Sequence, residues 1–308
     1  MTMWSLKLVT TAILAVASLN VVAQEPSFIM KRQELVKKNQ NVKPLVAAFY
    51  NSNNKNLDVN LMWNKLAPYS NYLSEQLDNL VIIDVDNSYY NLTKDVLANT
   101  DILYSTPLLY SQLKDVGWRP IVRANQQINP IIIVTNNSSI KDLNGLKGKK
   151  IMVEGGTTLS AYLKVELFDK KILSRTENKD KYIEINTTTE ALLNYLNNNE
   201  VHAIAVSDNV ARRLIAENKN KYRAIATDSH APGLVVYANP KMPEEQLQRI
   251  QKLFLEMKLN DENVRNVLSA AGELVASQVN QFIEVNDNEL MKASQVFRQS
   301  KAQEINFK

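Results

Sequence analysis

From Pro44 onward the chain repeats one unit: a short apolar run of strand length, then a stretch with helical spacing. This alternation restricts the fold to sheets flanked by helices. Leu45–Tyr50 reads as a buried strand, and an Asn-rich loop over residues 51–56 follows it. Leu66, Tyr69, Leu73 and Leu77 recur at helical spacing, and runs at 81–85, 101–104 and 121–123 complete a first α/β unit. A second unit opens near Pro130, with strands at 131–134, 150–153, 182–185 and 203–206 and helices at about 157–168, 189–196 and 209–217. Pro232-Gly233 then precedes a strand at 234–237, and the remainder reads as largely helical, including 243–257 and 287–298.

One phrase occurs in both units. Residues 95–105 and 193–207 each run helix, Asn, then an apolar strand ending in a hydroxyl residue. Asparagine is second only to glycine in the left-handed turn that ends a helix, so Asn99 and one of Asn197 to Asn199 are expected C-terminal caps. Duplicated halves of this kind commonly face one another across a cleft, although any α/β chain contains such junctions.

The N-terminus carries one basic residue, Lys7, an apolar run over 8–22, and Val21-Val22-Ala23 ahead of Gln24-Glu25-Pro26. That is the layout of a secretory signal peptide cleaved after Ala23, and the run is shorter than the ~20 residues a bilayer span needs. The chain has no cysteine, which excludes disulfides, a thiolate nucleophile, cysteine metal ligands and a lipid-bearing cysteine at the cleavage point. A freely diffusing exported protein stays near its cell only behind an outer membrane, so a Gram-negative periplasm is expected. Thirty-six Lys and Arg against 32 Asp and Glu give +4, and cleavage removes only Lys7 from that balance. So small a surplus, without a dense basic stripe, points away from nucleic acid.

The most informative stretch for chemistry is Glu154-Gly155-Gly156-Thr157-Thr158-Leu159-Ser160-Ala161-Tyr162. A strand ends, two glycines turn the backbone tightly, and hydroxyl residues enter a helix. Free amides at a helix start beside hydroxyls can hold an anionic oxygen, and the same residues serve equally as plain caps. Tyr50, the pair Tyr89 and Tyr90, and Tyr110 end strands or open helices, where a phenol can stack on a ligand or simply pack in the core. Enzyme signatures are poorly supplied. The two histidines, His202 and His230, are far apart without a flanking ligand pattern, and no nucleophile elbow, zinc-binding H-E-x-x-H helix or phosphate-loop lysine occurs. His202, opening an apolar strand, reads as a structural histidine.

Five ordered segments carry a family likeness: Trp63 with Leu66-Ala67-Pro68-Tyr69; residues 100–105; residues 143–150; Gly156-Thr157-Thr158; and residues 231–237. Through them the chain resembles the phosphate, phosphite and phosphonate solute-binding proteins of ABC transporters, within the type II periplasmic binding protein superfamily, over about residues 42–275. The resemblance implies an α/β fold of two lobes joined by two hinge crossings, with lobe 1 at 24–127 and 231–308 and lobe 2 at 128–230. It implies a small anionic or zwitterionic ligand held in the interlobe cleft, an inner-membrane ABC permease as partner, a monomer, and neither catalysis, cofactor nor metal.

The family grips phosphoryl oxygens with a Ser-Thr-Ser-Gly run at a helix start. Thr157 and Thr158 match its first two positions, while Leu159 and Ser160 replace the last two. By the same carry-over Tyr50, Tyr89 or Tyr90, Ser105 and Thr106 line the first lobe, and Asp208 approaches a ligand amino group from the second. Leu234 stands where the family carries an acidic residue after the Pro-Gly hinge, and His202 stands at another such position. These departures imply a changed ligand or a sensor role; the alternatives to an oxyanion are an amine-bearing or thiamine-precursor-like metabolite held by the tyrosines and, third, a periplasmic hydrolase.

Overall fold

The computed structural model of the chain describes residues 42–50, 59–86, 88–174, 180–185, 187–257, 264 and 281–300. The signal segment, the Asn-rich loop at 51–56 and most of the stretch between 258 and 280 lie outside the described residues, as does the side chain of Trp63.

Six strands form one sheet in the order β13-β4-β12-β3-β1-β2, and five form a second in the order β10-β6-β9-β7-β8. The first uses β1 (Leu45–Tyr50), β2 (Val81–Val85), β3 (Ile102–Ser105), β4 (Arg119–Ala124), β12 (Val235–Ala238) and β13 (Phe282–Ile283). The second uses β6 (Pro130–Thr135), β7 (Ile151–Glu154), β8 (Tyr182–Ile185), β9 (Ala203–Ser207) and β10 (Tyr222–Ala226). In each, two parallel pairings share a central strand, β1 or β7, and an antiparallel strand, β12 or β6, closes the set. The same plan occurs twice, which is the type II layout. Parallel central strands need helical crossovers, and α1 (Val59–Leu77) and α4 (Thr158–Asp169) supply the first of each lobe.

Position in the sheet explains each strand's composition. Central β1 and β3 are buried almost throughout, whereas edge strand β2 alternates buried and exposed residues. In the first core Phe49 stacks on Tyr104 at 4.0 Å, and the hydroxyls of Tyr69 and Tyr104 lie 2.9 Å apart, each satisfying the other. Burial drives both phenols well above their usual pKa, so both stay neutral donors.

The chain passes between the sheets twice. β5 (Gln127–Ile128) and β11 (Ala231–Pro232) pair antiparallel as a two-stranded ribbon at these crossings. Thr227 Oγ1 donates to Pro130 O at 2.6 Å and His230 Nδ1 lies 2.8 Å from Asn129 Oδ1, so the two crossings are bound to each other as well. Gly233 closes this junction. A Cβ there would lie 2.8 Å from Gln126 O and 3.1 Å from the Ala124 methyl, closer than side-chain carbons sit.

The helix caps divide the sequence expectation. Asn199 adopts the left-handed conformation at the end of α5 (Thr189–Asn197), as expected. Asn99 does not. It is the last residue of α2 (Lys94–Asn99), extended Thr100 ends the helix, and the Asn99 amide donates back to Asp95 O at 2.8 Å. The strand placed at 234–237 begins one residue later, leaving Leu234 in the first core.

His202 lies at the start of β9, where its Nδ1 accepts the Lys150 amide at 3.1 Å. Desolvation, then Lys149, Lys150 and Lys181, hold this imidazole below its usual pKa. With the folded value depressed, its contribution to stability is complete above the unfolded-state pKa and is lost as pH falls through the folded one. His202→Asn should therefore lose less melting temperature than the native chain between about pH 7.5 and pH 5, and equal losses would clear His202 of any part in acid sensitivity.

Candidate functional site

The Gly-Gly-Thr-Thr turn leaves β7 at Glu154, at the end of the sheet from which α4 departs. Gly156 has φ +69°, which a side chain would strain, and a Cβ on Gly155 would lie 3.0 Å from the Glu184 Cβ. Gly156 is therefore favoured by the turn itself, and Gly155 by the close approach of β8 beside it. Thr157 is the N-cap: its Oγ1 accepts the Ser160 amide at 3.1 Å and donates to Glu154 O at 3.0 Å. The cap reading of the turn accounts for Thr157.

Thr158 does something else. Its Oγ1 lies 2.8 Å from Thr106 Oγ1, a hydrogen bond that joins the helix start of the second sheet's α4 to the loop after β3 of the first sheet. Thr106 is fully buried and Thr158 is 7% exposed. Thr106 also caps the short helical turn Pro107–Leu109 by accepting the Leu108 amide at 3.2 Å. The two hydroxyl loops expected to face each other therefore meet directly.

Helix α4 can lie there because it is buried almost all round. Leu159, Leu163 and Leu167 enter the second sheet's core, while Ala161 and Tyr162 pack with Leu108, Leu290 and Phe297 of the first. Leu159, where the family carries a hydroxyl, thus points into apolar packing. The helix α8 (Asp287–Gln299) covers the seam, and Arg123 Nε of β4 lies 2.7 Å from its Glu289 Oε2.

The remaining candidates are engaged with protein partners. Ser105 Oγ donates to Tyr50 O at 2.8 Å, and Tyr50 Oη donates to Asp84 Oδ2 at 3.3 Å. Ser160 Oγ donates to Glu184, whose other oxygen accepts Lys164 Nζ at 2.7 Å. The rings of Tyr89 and Tyr90 lie 4.5 Å apart, tilted by 40°, with Tyr89 Oη donating to Tyr90 Oη at 3.4 Å. Burial first, then Tyr90 and Glu184, raise the Tyr89 pKa; burial, then Asp84 and Asp86, raise that of Tyr50. Asp208 opens α6 (Asp208–Glu217) and pairs with Arg212 at 3.2 Å. Tyr110 packs in a separate apolar cluster with Leu103, Leu113 and Tyr237, its hydroxyl accepting Lys114 Nζ at 2.7 Å.

Sequence reasoning missed the carboxylates around these groups. Glu184 and Asp84 sit on edge strands, where an outward acid is ordinary, and only the fold brings them to Ser160 and Tyr50. A hollow of about 620 Å³ beside β10, lined by residues that include Lys141, Asn144, Lys170 and Ile225, shares no residue with this set. Among the described residues no three His, Asp or Glu side chains are grouped to hold a metal, and no helix is long and apolar enough to cross a membrane.

Buried hydroxyls from two lobes, meeting at a helix start, suit a guest rich in acceptor oxygens. A family model described as "ABC transporter, phosphonate, periplasmic substrate-binding protein" matches residues 57–290. No curated protein matches the chain in sequence. Three solved structures illustrate the likeness of fold. XAC2383 from Xanthomonas citri bound to ATP superposes with a TM-score of 0.66 at 14% identity, covering 83% of this chain and 98% of that one. PhnD1 from Prochlorococcus marinus (MIT 9301) in complex with methylphosphonate gives 0.62 at 14%, over 84% and 98%. The periplasmic aliphatic sulphonate binding protein SsuA from Escherichia coli gives 0.61 at 13%, over 84% and 93%. With a family model spanning most of its length and one α/β plan repeated in its two sheets, the chain belongs to the periplasmic substrate-binding proteins of phosphonate ABC transporters.

Proposed function

We propose that the protein, exported by cleavage after Ala23, binds a small phosphonate-like oxyanion between lobes 24–127 with 231–308 and 128–230, and delivers it to an inner-membrane permease without chemical change. The carrying observation is the buried Thr106–Thr158 contact at the start of α4. Helix-start amides and neutral hydroxyls can hold an anion without a cationic side chain. Both hydroxyls are shielded, so a ligand reaches them only when the lobes part. Ser160, Thr157, Ser105, Tyr50, Tyr89, Tyr90 and Asp208 would then form the walls rather than the grip, since their partners lie within their own lobe and stay in place when the lobes part, whereas the Thr106–Thr158 bond is broken.

A second reading, an amine-bearing ligand, is favoured by the carboxylates beside the tyrosines: Asp84 and Asp86 act on Tyr50, and Glu184 on Tyr89. A thermal-shift series with phosphate, phosphite, methylphosphonate and aminoethylphosphonate separates the two. A ligand at ~100 times its dissociation constant should stabilise the fold by ~2.7 kcal/mol. Methylphosphonate equal to aminoethylphosphonate supports the plain oxyanion, and a response to the amine compound alone supports the second reading. Silence from all four discards the ligand class.

A further inference from the structure

Helix α4 has its grip at one end and a second, unexplained attachment near the other. Glu166 lies two turns beyond Thr158, about 12 Å along the axis. Its carboxylate is 8% exposed, and a buried charge of this kind persists only with several donors aimed at it. Three converge. The amides of Asp228 and Ser229 donate at 2.9 and 3.0 Å, and Ser229 Oγ donates at 2.5 Å. Lys170 Nζ stands 3.9 Å away and itself holds Asp228 at 2.7 Å, while Ser229 Oγ also reaches Tyr162 O at 3.4 Å.

The segment so held is the last stretch before the β11 crossing. Through Thr227 to Pro130, His230 to Asn129 and the β5–β11 pairing, that crossing is bound to the other one. Apolar packing alone would let a helix slide over such a loop, whereas three directed hydrogen bonds to one carboxylate fix distance and orientation together.

We propose that Glu166 is a positioning residue that locks the grip helix to the hinge, so that parting of Thr106 from Thr158 and bending of the two crossings occur as one movement. This extends the binding reading above, but its test needs no ligand. Amide hydrogen exchange at Asp228 and Ser229 is measured by NMR in the ligand-free native chain, in Thr158→Val, in Glu166→Gln and in the double variant, with Ile133 and Ile204 of the second sheet as folded controls.

Glu166→Gln should raise exchange at both amides about tenfold with the controls unchanged. Thr158→Val, though two turns away, should also raise it severalfold in the native background but not further in Glu166→Gln, because coupling shows as non-additivity. Equal ratios in both backgrounds, or no response to Thr158→Val, would overturn the proposal. If Glu166→Gln does not fold, Ser229→Ala, which removes one donor of the three, takes its place in the cycle. Failure of the thermal-shift series leaves this result readable.

Discussion

Thr158→Val is expected to weaken binding of whichever oxyanion stabilises the native chain by about ten- to a hundredfold, since a hydrogen bond to a charged acceptor contributes about 1.5–3 kcal/mol. Valine keeps the shape, so the core around Leu159 and Ala161 should be undisturbed, while the buried Thr106 hydroxyl, left without its Thr158 partner, lowers stability by about 1–3 kcal/mol. Thr157→Ala is the contrast. Its hydroxyl is spent on the Ser160 amide and Glu154 O, so its loss should lower stability by about 0.5–2 kcal/mol, as for other N-caps. Isothermal titration beside thermal melting reads both. If Thr157→Ala lost the affinity and Thr158→Val kept it, the grip would belong to the cap and the interlobe contact would be incidental.

Gly233→Val is expected to disable the hinge. Even a Cβ would stand 2.8 Å from Gln126 O, and that atom is backbone and cannot swing aside. Relief requires the two crossings to separate, with loss of the β5–β11 pairing next to it. Overpacking of this kind costs about 1–3 kcal/mol, and valine's branches place it at the upper end. The effect should also reach function: small-angle scattering that contracts with ligand in the native chain should no longer do so in the variant. A variant that melts and contracts like the native chain would show that the crossings have room the geometry denies them.

Much of the architecture was legible because it is local. Alternation of apolar runs with helical spacing depends on neighbours in the chain, and it located nine of the thirteen described strands to within two residues; β10, which mixes polar and apolar residues at a sheet edge, and the two-residue strands β5, β11 and β13 carry too weak a local pattern and were missed. The Gly-Gly-Thr-Thr turn was equally readable, since a positive φ at Gly156 and an N-cap at Thr157 are requirements of the turn itself. Asn99 and Asn199 show where local reading stops. Both stand at a helix end, yet only Asn199 takes the left-handed turn; after Asn99 the chain runs through extended Thr100 toward β3, which pairs with β1.

Which hydroxyl reaches across to the other lobe and which merely caps was decided only by tertiary structure. Thr157 and Thr158 are identical side chains one residue apart, yet the extended N-cap backbone turns the first into its own helix start, while the first helical residue points onto Thr106, 52 positions away. The acids follow the same rule: Glu184 meets Ser160 across 24 positions, and Glu166 meets Ser229 across 63. Sequence by itself determined most of the elements, the turn and the succession of two α/β units, because backbone sterics and apolar periodicity act on residues within a few positions of one another; the two-lobed plan was legible only through the family likeness. The pairing of polar groups across the lobes and at the hinge was left to the fold, because a hydrogen bond depends on distance in space, and the chain order of its partners carries no record of it.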